Sequence, residues 1–316
     1  MIAILQILKD GQFHAMEVLC AKLSADEPTI HERIKKITSE LGLNVVYLMG
    51  HGYRISTPLS LLNIEEILKL YESMPWPVYL YTSIDSTNAE AFKLASEGRG
   101  SAFIVLAEHQ KNGRGRRLRR WVSPFSENLY YSLFFRLDGD LHGLSLAVGL
   151  AVMRTLQSFG LERVGLKWPN DLRVNGKKIS GVLIESKAGA DKAREVAIGI
   201  GINVNMQNND HIDQNWTSMR AELKHPIDRN ALVARLTKQL AQTLERFRKH
   251  GFSDFISEWE QFHLWQGCKV TVYTGSDIVK GVALGVDRRG ELRLEVNGEE
   301  QIYSSGEISL RLDDNT

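Results

Sequence analysis

The chain has 316 residues, 43% hydrophobic and 24% charged, with 39 Lys+Arg against 38 Asp+Glu. That length supports two or three domains with their own cores, and the composition excludes collagen-like, coiled-coil and disordered chains. A formal net charge of +1 excludes a uniformly basic nucleic-acid coat or an acidic tail protein, so functional positive charge must be local.

Residues 1–61 carry helical periodicity. Ile2, Leu5, Ile7 and Leu8 form one apolar face, Met16–Leu23 a second, and Ile30, Ile34 and Ile37 a third. Pro28 suits the first turn of the third helix, behind Asp26 or Glu27, and Gly42 ends it. Residues 44–55 read as two strands around Gly50-His51-Gly52. Three helices and a glycine-tipped hairpin outline a winged helix-turn-helix. Residues 62–265 alternate strands, opening at 78, 101, 128, 164, 181 and 196, with helices over 144–159 and 230–250. This pattern predicts a central mixed α/β sheet. In residues 266–316 the segments KVTVYT, VKGVALGV, ELRLEV and EQIYS are short strands, and Asn297-Gly298 is a strong hairpin signal. A small β-barrel is expected there. The fold class is therefore α+β and multidomain.

Cys20 and Cys268 lie far apart without metal-ligand spacing, which argues against a disulfide framework and for a cytoplasmic location. No run approaches the roughly 18 apolar residues of a membrane span, and residues 1–14 lack the features of a signal peptide.

The densest local feature is residues 111–121, Lys-Asn-Gly-Arg-Gly-Arg-Arg-Leu-Arg-Arg-Trp, in which six of the first ten residues are basic. Such crowding repels itself and is relieved by an anion; arginines and glycine amides together suit phosphate. The alternative is a solvated basic loop. It is no Walker A loop, since GxxxxGK[ST] occurs nowhere. Ser86-Thr87-Asn88 ends a strand and opens a helix, where its hydroxyls and amides can hold a polar group; Thr87-x-x-Glu90 equally has capping-box spacing. Lys167-Trp-Pro-Asn170-Asp171 follows another strand, and Lys178-Ile-Ser-Gly181 leads into a third. In the strand around 196–205, Gly199, Gly201, Asn203 and Asn205 share one face. Two interior glycines weaken a strand, so that face makes room for a ligand or for close packing.

The motifs IDSTN at 84–88, EHQKNGRGRRLRRW at 108–121, KWPNDL at 167–172, GKKISGVLIE at 176–185 and GIGINVN at 199–205 together resemble the biotin–protein ligases. Within them, the resemblance is to the class with an N-terminal DNA-binding domain that also represses biotin synthesis, and it covers essentially the whole chain. It implies a winged helix-turn-helix at 1–61, a biotin/ATP-binding catalytic domain at 62–265 and an SH3-like β-barrel at 266–316. It also implies condensation of biotin with ATP and Mg²⁺ to biotinyl-5′-AMP, then transfer to a lysine of the biotin carboxyl carrier protein of acetyl-CoA carboxylase. The magnesium would be held mainly by ATP, with no dedicated protein site. By position, Lys178 and Arg116 match the catalytic residues, with Lys177 the neighbouring rival. Ser86, Thr87, Asn88, Gln110, Arg114, Gly115, Arg116 and Lys178 match the biotin site. Arg116, Arg119, Asn170, Asp171, Lys178, Asn203 and Trp216 match the nucleotide site. Thr29, Arg33, Lys35 and Lys36 fall on the expected DNA-reading helix. Operator DNA bound by an adenylate-loaded homodimer is the implied second partner, with no membrane involved.

Two features depart from the family pattern. Leu118 stands where the family loop has glycine; if that position takes positive φ, leucine costs about 1–2 kcal/mol. Residues 1–62 carry six Lys+Arg and six Asp+Glu, without the basic excess of a DNA reader. A lipoate–protein ligase and a metabolite-sensing transcription factor without ligase activity are the competing readings. The N-terminal unit and the complete arginine loop oppose the first; Lys178, Arg116 and Asn203 oppose the second.

Overall fold

The computed structural model describes residues 2–189, 193–274, 277–305 and 308–312. The first apolar faces close into three helices, α1 (Ile2–Leu8), α2 (Met16–Leu23) and α3 (Glu27–Leu41). Asp26 caps α3 by accepting from the Thr29 amide at 3.0 Å, and Gly42 ends it at φ 68°. Positive φ after a helix is cheap for glycine, which has no Cβ to clash. Strands β1 (Val45–Leu48) and β2 (Gly52–Ile55) form an antiparallel hairpin over the same core, which holds Leu5, Leu8, Leu19, Ile30, Ile34 and Ile37. Leu61 and Phe125, the latter from the region beyond the arginine loop, are buried in this core too.

The central region runs α4 (Ile64–Leu70), β3 (Val78–Tyr81), α5 (Thr87–Ser96), β4 (Ala102–Ala107), β5 (Leu129–Leu137), α6 (Leu144–Gln157), β6 (Val164–Lys167), β7 (Asp171–Val174), β8 (Lys177–Ala188), β9 (Arg194–Ile202), α7 (Met219–Leu223), α8 (Arg229–His250) and α9 (Ile256–Gln261). Its seven-stranded sheet has the order β3-β4-β5-β9-β8-β7-β6, parallel at β3–β4 and antiparallel elsewhere. Side-chain alternation divides β4 cleanly: Phe103 and Val105 pack under α5, while Ile104 and Leu106 join α6 and α8 on the opposite face.

Strand β7 lies within residues 168–177, where the sequence pattern predicts only a connection. It has only two apolar residues between Pro169-Asn170 and Asn175-Gly176, too short for alternation to register. Its consequence is geometric: Lys167, Asp171 and Lys178 lie on one antiparallel meander.

The last strands, β10 (Lys269–Thr274), β11 (Asp277–Val286), β12 (Leu292–Val296), β13 (Glu299–Tyr303) and β14 (Ile308–Leu312), form an antiparallel sheet of order β13-β12-β11-β10-β14. The sequence pattern held four of these five. Asn297 and Gly298 take φ 53° and 85°, as a two-residue hairpin turn requires. The apolar face of this sheet is continuous with the core of the central one, through Val270, Val272, Ala283 and Leu294. No helix among the described residues is long and apolar enough to cross a membrane.

At this junction His263 is 5% exposed, its ring tilted onto Trp259 at 4.6 Å between centroids. Burial pushes its pKa down to about 4. The unfolded chain therefore binds a proton in the window from about 6.5 to 4 that the folded chain excludes, so stability falls as pH drops through it. Urea unfolding is expected to lose about 3 kcal/mol from this residue between pH 7 and 4, and His263→Leu to flatten the profile by up to one proton.

Candidate active site

The hydroxyl and amide groups of Ser86-Thr87-Asn88 do not form a capping box. Ser86 is the N-cap of α5 with no side-chain cap bond, and Glu90 pairs with Lys93. Instead the Thr87 amide and hydroxyl both donate to Gln110 Oε1, at 2.9 and 3.2 Å. Gln110 is brought alongside by a parallel bridge between Ile84 and Gln110, and its Nε2 donates to Ser123 Oγ at 3.0 Å. Ser132 Oγ lies 2.7 Å from Thr87 Oγ1 and 2.6 Å from Asn88 Oδ1, while Asn88 Nδ2 donates to Glu185 Oε2 at 2.8 Å. Ser86, Thr87, Asn88 and Gln110 are all buried, giving a preset polar floor.

This floor opens into a cavity of about 130 Å³ against the glycine face of β9. A side chain at Gly199 would meet Asn88 at 2.7 Å, and one at Gly201 would overlap the Trp121 indole. The room made by the two glycines is thus taken by Asn88 and Trp121, both of which line the cavity. The Trp121 Nε1–H is buried without a hydrogen-bond partner among the described residues. Such an unpaired donor costs about 1–3 kcal/mol.

The arginine loop folds back on itself, with the Gly115 amide donating to the Arg119 carbonyl at 2.7 Å and the Trp121 amide to the Gly113 carbonyl at 2.8 Å. Arg116 donates to Asn170 Oδ1 at 3.5 Å and to the Ser305 carbonyl, bridging the loop to both sheets. Arg114 lies 3.5 Å from Glu185. Leu118 has φ 57° and is 95% exposed, so it carries left-handed strain and buries nothing in return. Leu118→Gly is expected to raise unfolding stability by about 1 kcal/mol and β-branched Leu118→Ile to lower it similarly, as read from urea midpoints.

Alternation along β8 separates the two rival lysines. Lys177 is exposed, whereas Lys178 turns into the cavity, where Nζ bonds Asp171 Oδ1 at 2.7 Å and sits 5.4 Å from the Trp121 ring centre. Lys167, on β6, lines the same wall; burial, with Arg173, Lys178 and Arg119 nearby, pushes it down to about 8 although Asp171 opposes the shift. A second cavity of about 490 Å³ shares Arg116 and Asn170 and extends between the start of α6 and the turn at Arg289-Gly290-Glu291.

A family model for the biotin/lipoate A/B protein ligase family matches residues 80–203, and one for the biotin protein ligase C-terminal domain matches 266–311. A bifunctional ligase/repressor BirA from Escherichia coli K12 is 34% identical over 98% of this chain and 96% of its own. One from Bacillus subtilis is 31% identical over 93% of each. The chain belongs to the biotin–protein ligase family. A solved relative, the biotin protein ligase from Aquifex aeolicus in complex with biotin and ATP, superposes with a TM-score of 0.66 at 28% identity. It is matched over 75% of this chain and 99% of its own.

Within this biotin–protein ligase, the cavity gathers Ser86, Thr87, Asn88, Gln110, Arg114, Gly115, Arg116, Arg119, Asn170, Asp171 and Lys178. Two expected nucleotide residues lie elsewhere. Asn203 is 4% exposed and its Nδ2 donates to the Thr217 carbonyl at 3.0 Å, tying down the segment after β9. Trp216 is absent from the lining; its backbone bridges to Lys178, and Gln214 reaches the cavity from that segment. The loop before Trp216 takes this path because Lys178 bonds it through the Asn215 carbonyl and the Thr217 amide. The sequence motifs contain Trp121, Lys167 and Glu185 but assign none of them a role, although Trp121 closes the arginine motif and packs on Gly201. On α3, Lys35 and Lys36 are exposed and Thr29 and Arg33 half-buried, with Lys36 3.7 Å from Glu40.

Proposed function

We infer that this ligase condenses biotin with ATP to biotinyl-5′-AMP and pyrophosphate, then transfers biotin to a lysine of the carboxyl carrier protein of acetyl-CoA carboxylase. The carrying observation is one cavity joining the buried Thr87–Gln110–Ser132 floor to the Lys178–Asp171 pair and Arg116. A neutral polar floor suits the ureido ring of biotin. In the first step a carboxylate oxygen attacks the α-phosphorus and the bond to the leaving pyrophosphate breaks; both reactants are anions. In this reading Lys178, held by Asp171, bridges the two anions, and Arg116, Arg119 and Asn170, which line the same cavity, serve the nucleotide. A unit charge about 4 Å away contributes about 4 kcal/mol at an effective dielectric of 20. Mg²⁺ enters with the nucleotide as substrate and screens its phosphates.

The domains divide as 1–61, 62–265 and 266–316, with a winged helix-turn-helix first and an SH3-like barrel last. The protein acts in the cytoplasm and represses biotin synthesis as an adenylate-loaded homodimer on operator DNA. In that role α3 presents Thr29, Arg33, Lys35 and Lys36. Charge on this unit is balanced, so affinity there depends on dimerisation more than on net attraction.

Pyrophosphate release with ATP, Mg²⁺ and either biotin or lipoate tests the enzyme reading. Release with biotin alone is expected; release with lipoate alone identifies a lipoate ligase, and none with either leaves a sensor without ligase activity. A gel shift on operator DNA that needs both biotin and ATP is expected for the repressor.

A further inference from the structure

We propose that Lys167 is the general base of the transfer step, taking a proton from the acceptor lysine before that nitrogen attacks the activated acyl group. The inference rests on the ligase reading above and adds a residue to the same cavity.

Two lysines there flank one carboxylate. Asp171 stands directly across from Lys167 in the β6–β7 ladder, yet its carboxylate is bound to Lys178 at 2.7 Å. Among the described residues Lys167 has no ion pair or hydrogen bond, and its Nζ lies 4.9 Å from the Trp265 ring centre. Arg119 from the loop, Arg173 from β7 and Lys178 from β8 act on it as like charges, and Asp171 as the opposing one. The segment packed behind β6 brings Trp265 and His263, the latter buried and neutral at physiological pH. Burial among cations makes an amine give up its proton more readily, against the pull of the Trp265 ring face on the ammonium. The Lys167 value of about 8 leaves roughly 300-fold more neutral amine at pH 7 than an ordinary lysine has.

The chemistry balances. The acceptor ammonium has no lone pair. It passes one proton to Lys167 Nζ, and the freed amine attacks the carbonyl carbon of the carboxylic–phosphoric anhydride. The C–N bond forms as the C–O bond to phosphate breaks; AMP leaves with the electron pair, and the second nitrogen proton goes to water.

The full-length protein is loaded with biotin, ATP and Mg²⁺, freed of pyrophosphate and nucleotide, and mixed with the acetyl-CoA carboxylase carrier subunit in single-turnover mode. The wild-type transfer rate is expected to climb with pH and level off near 8. Lys167→Met is expected to slow transfer by about 100-fold more than it slows adenylate formation, and its profile should climb on past pH 8 without a plateau. Lys167→Arg, which keeps the charge but cannot release its proton, should match Lys167→Met. Transfer by Lys167→Arg at the wild-type rate, or a plateau near pH 8 that survives in Lys167→Met, overturns the proposal. The wild-type profile tests it without any variant. Absence of wild-type adenylate overturns the ligase reading instead, before transfer is measured.

Discussion

Lys178→Ala is expected to reduce adenylate formation by about 1,000-fold, whereas Lys177→Ala leaves it within about twofold. The magnitude follows from removing one charge about 4 Å from the reacting anions, about 4 kcal/mol of stabilisation, at 1.36 kcal/mol per decade. The difference follows from geometry: Lys178 turns inward to Asp171 and the cavity, and Lys177 outward to solvent. Biotin-dependent exchange of pyrophosphate into ATP measures the step. Equal losses from both variants would refute the assignment. Because Lys178→Ala also strips Asp171 of its partner, urea unfolding of both variants separates chemistry from stability; Lys178→Arg keeps the pair but moves the charge, and is expected to recover only part of the rate.

Arg229→Met is expected to cost 3–5 kcal/mol of stability, in the range found for breaking a buried ion pair. Arg229 is 0% exposed and Glu108 2% exposed. The guanidinium donates to Glu108 Oε2 at 2.6 Å and to the Asn128 carbonyl at 2.9 Å, and it also holds the Ser60 carbonyl. Glu108 Oε1 in turn accepts from the Leu62 amide at 2.5 Å. Methionine fills similar volume but leaves a buried carboxylate and two carbonyls short of donors. Pairing the change with Glu108→Gln should return part of the loss in a double-mutant cycle of urea midpoints. The same pair reaches the site: Glu108 lies two residues before Gln110, and Phe125, just past the loop, is buried in the N-terminal core. A raised KM for biotin in Arg229→Met is therefore expected beside the loss of stability.

Much of the fold was legible in local pattern. Three apolar helical faces, the Gly42 stop and the Asn297-Gly298 hairpin all depend on nearest neighbours, and the structure keeps each of them. Strand β7 was not legible, because four residues with two apolar members carry no readable period. The capping box at Thr87 failed for a different reason. Its spacing is local, but Gln110, from 23 residues along the chain, offers the Thr87 amide a better acceptor. The site divides in the same way. Arg116, Lys178, Asn170 and Gln110 lie in the quoted motifs and meet in the cavity; Asn203 lies in a motif too, yet it is turned to the Thr217 carbonyl, and Trp216, marked by position alone, does not line the cavity either.

By itself the sequence determined where the charge is concentrated and which segments pack: a net charge of +1 conceals six basic residues within ten. It also determined that Leu118 would be strained if its φ were positive, since that cost is a property of one residue's own atoms. The tertiary structure alone decided which lysine owns Asp171 and which is left against Trp265. It alone decided that Trp121 and Asn88 fill the space of Gly201 and Gly199, and that Arg229 and Glu108 pin the segment at 60–62. Apart from the Asp171 pairing, those choices depend on distances between residues tens to more than a hundred positions apart. Proton affinity and ion pairing follow what is near in space, and chain order alone does not say what that is.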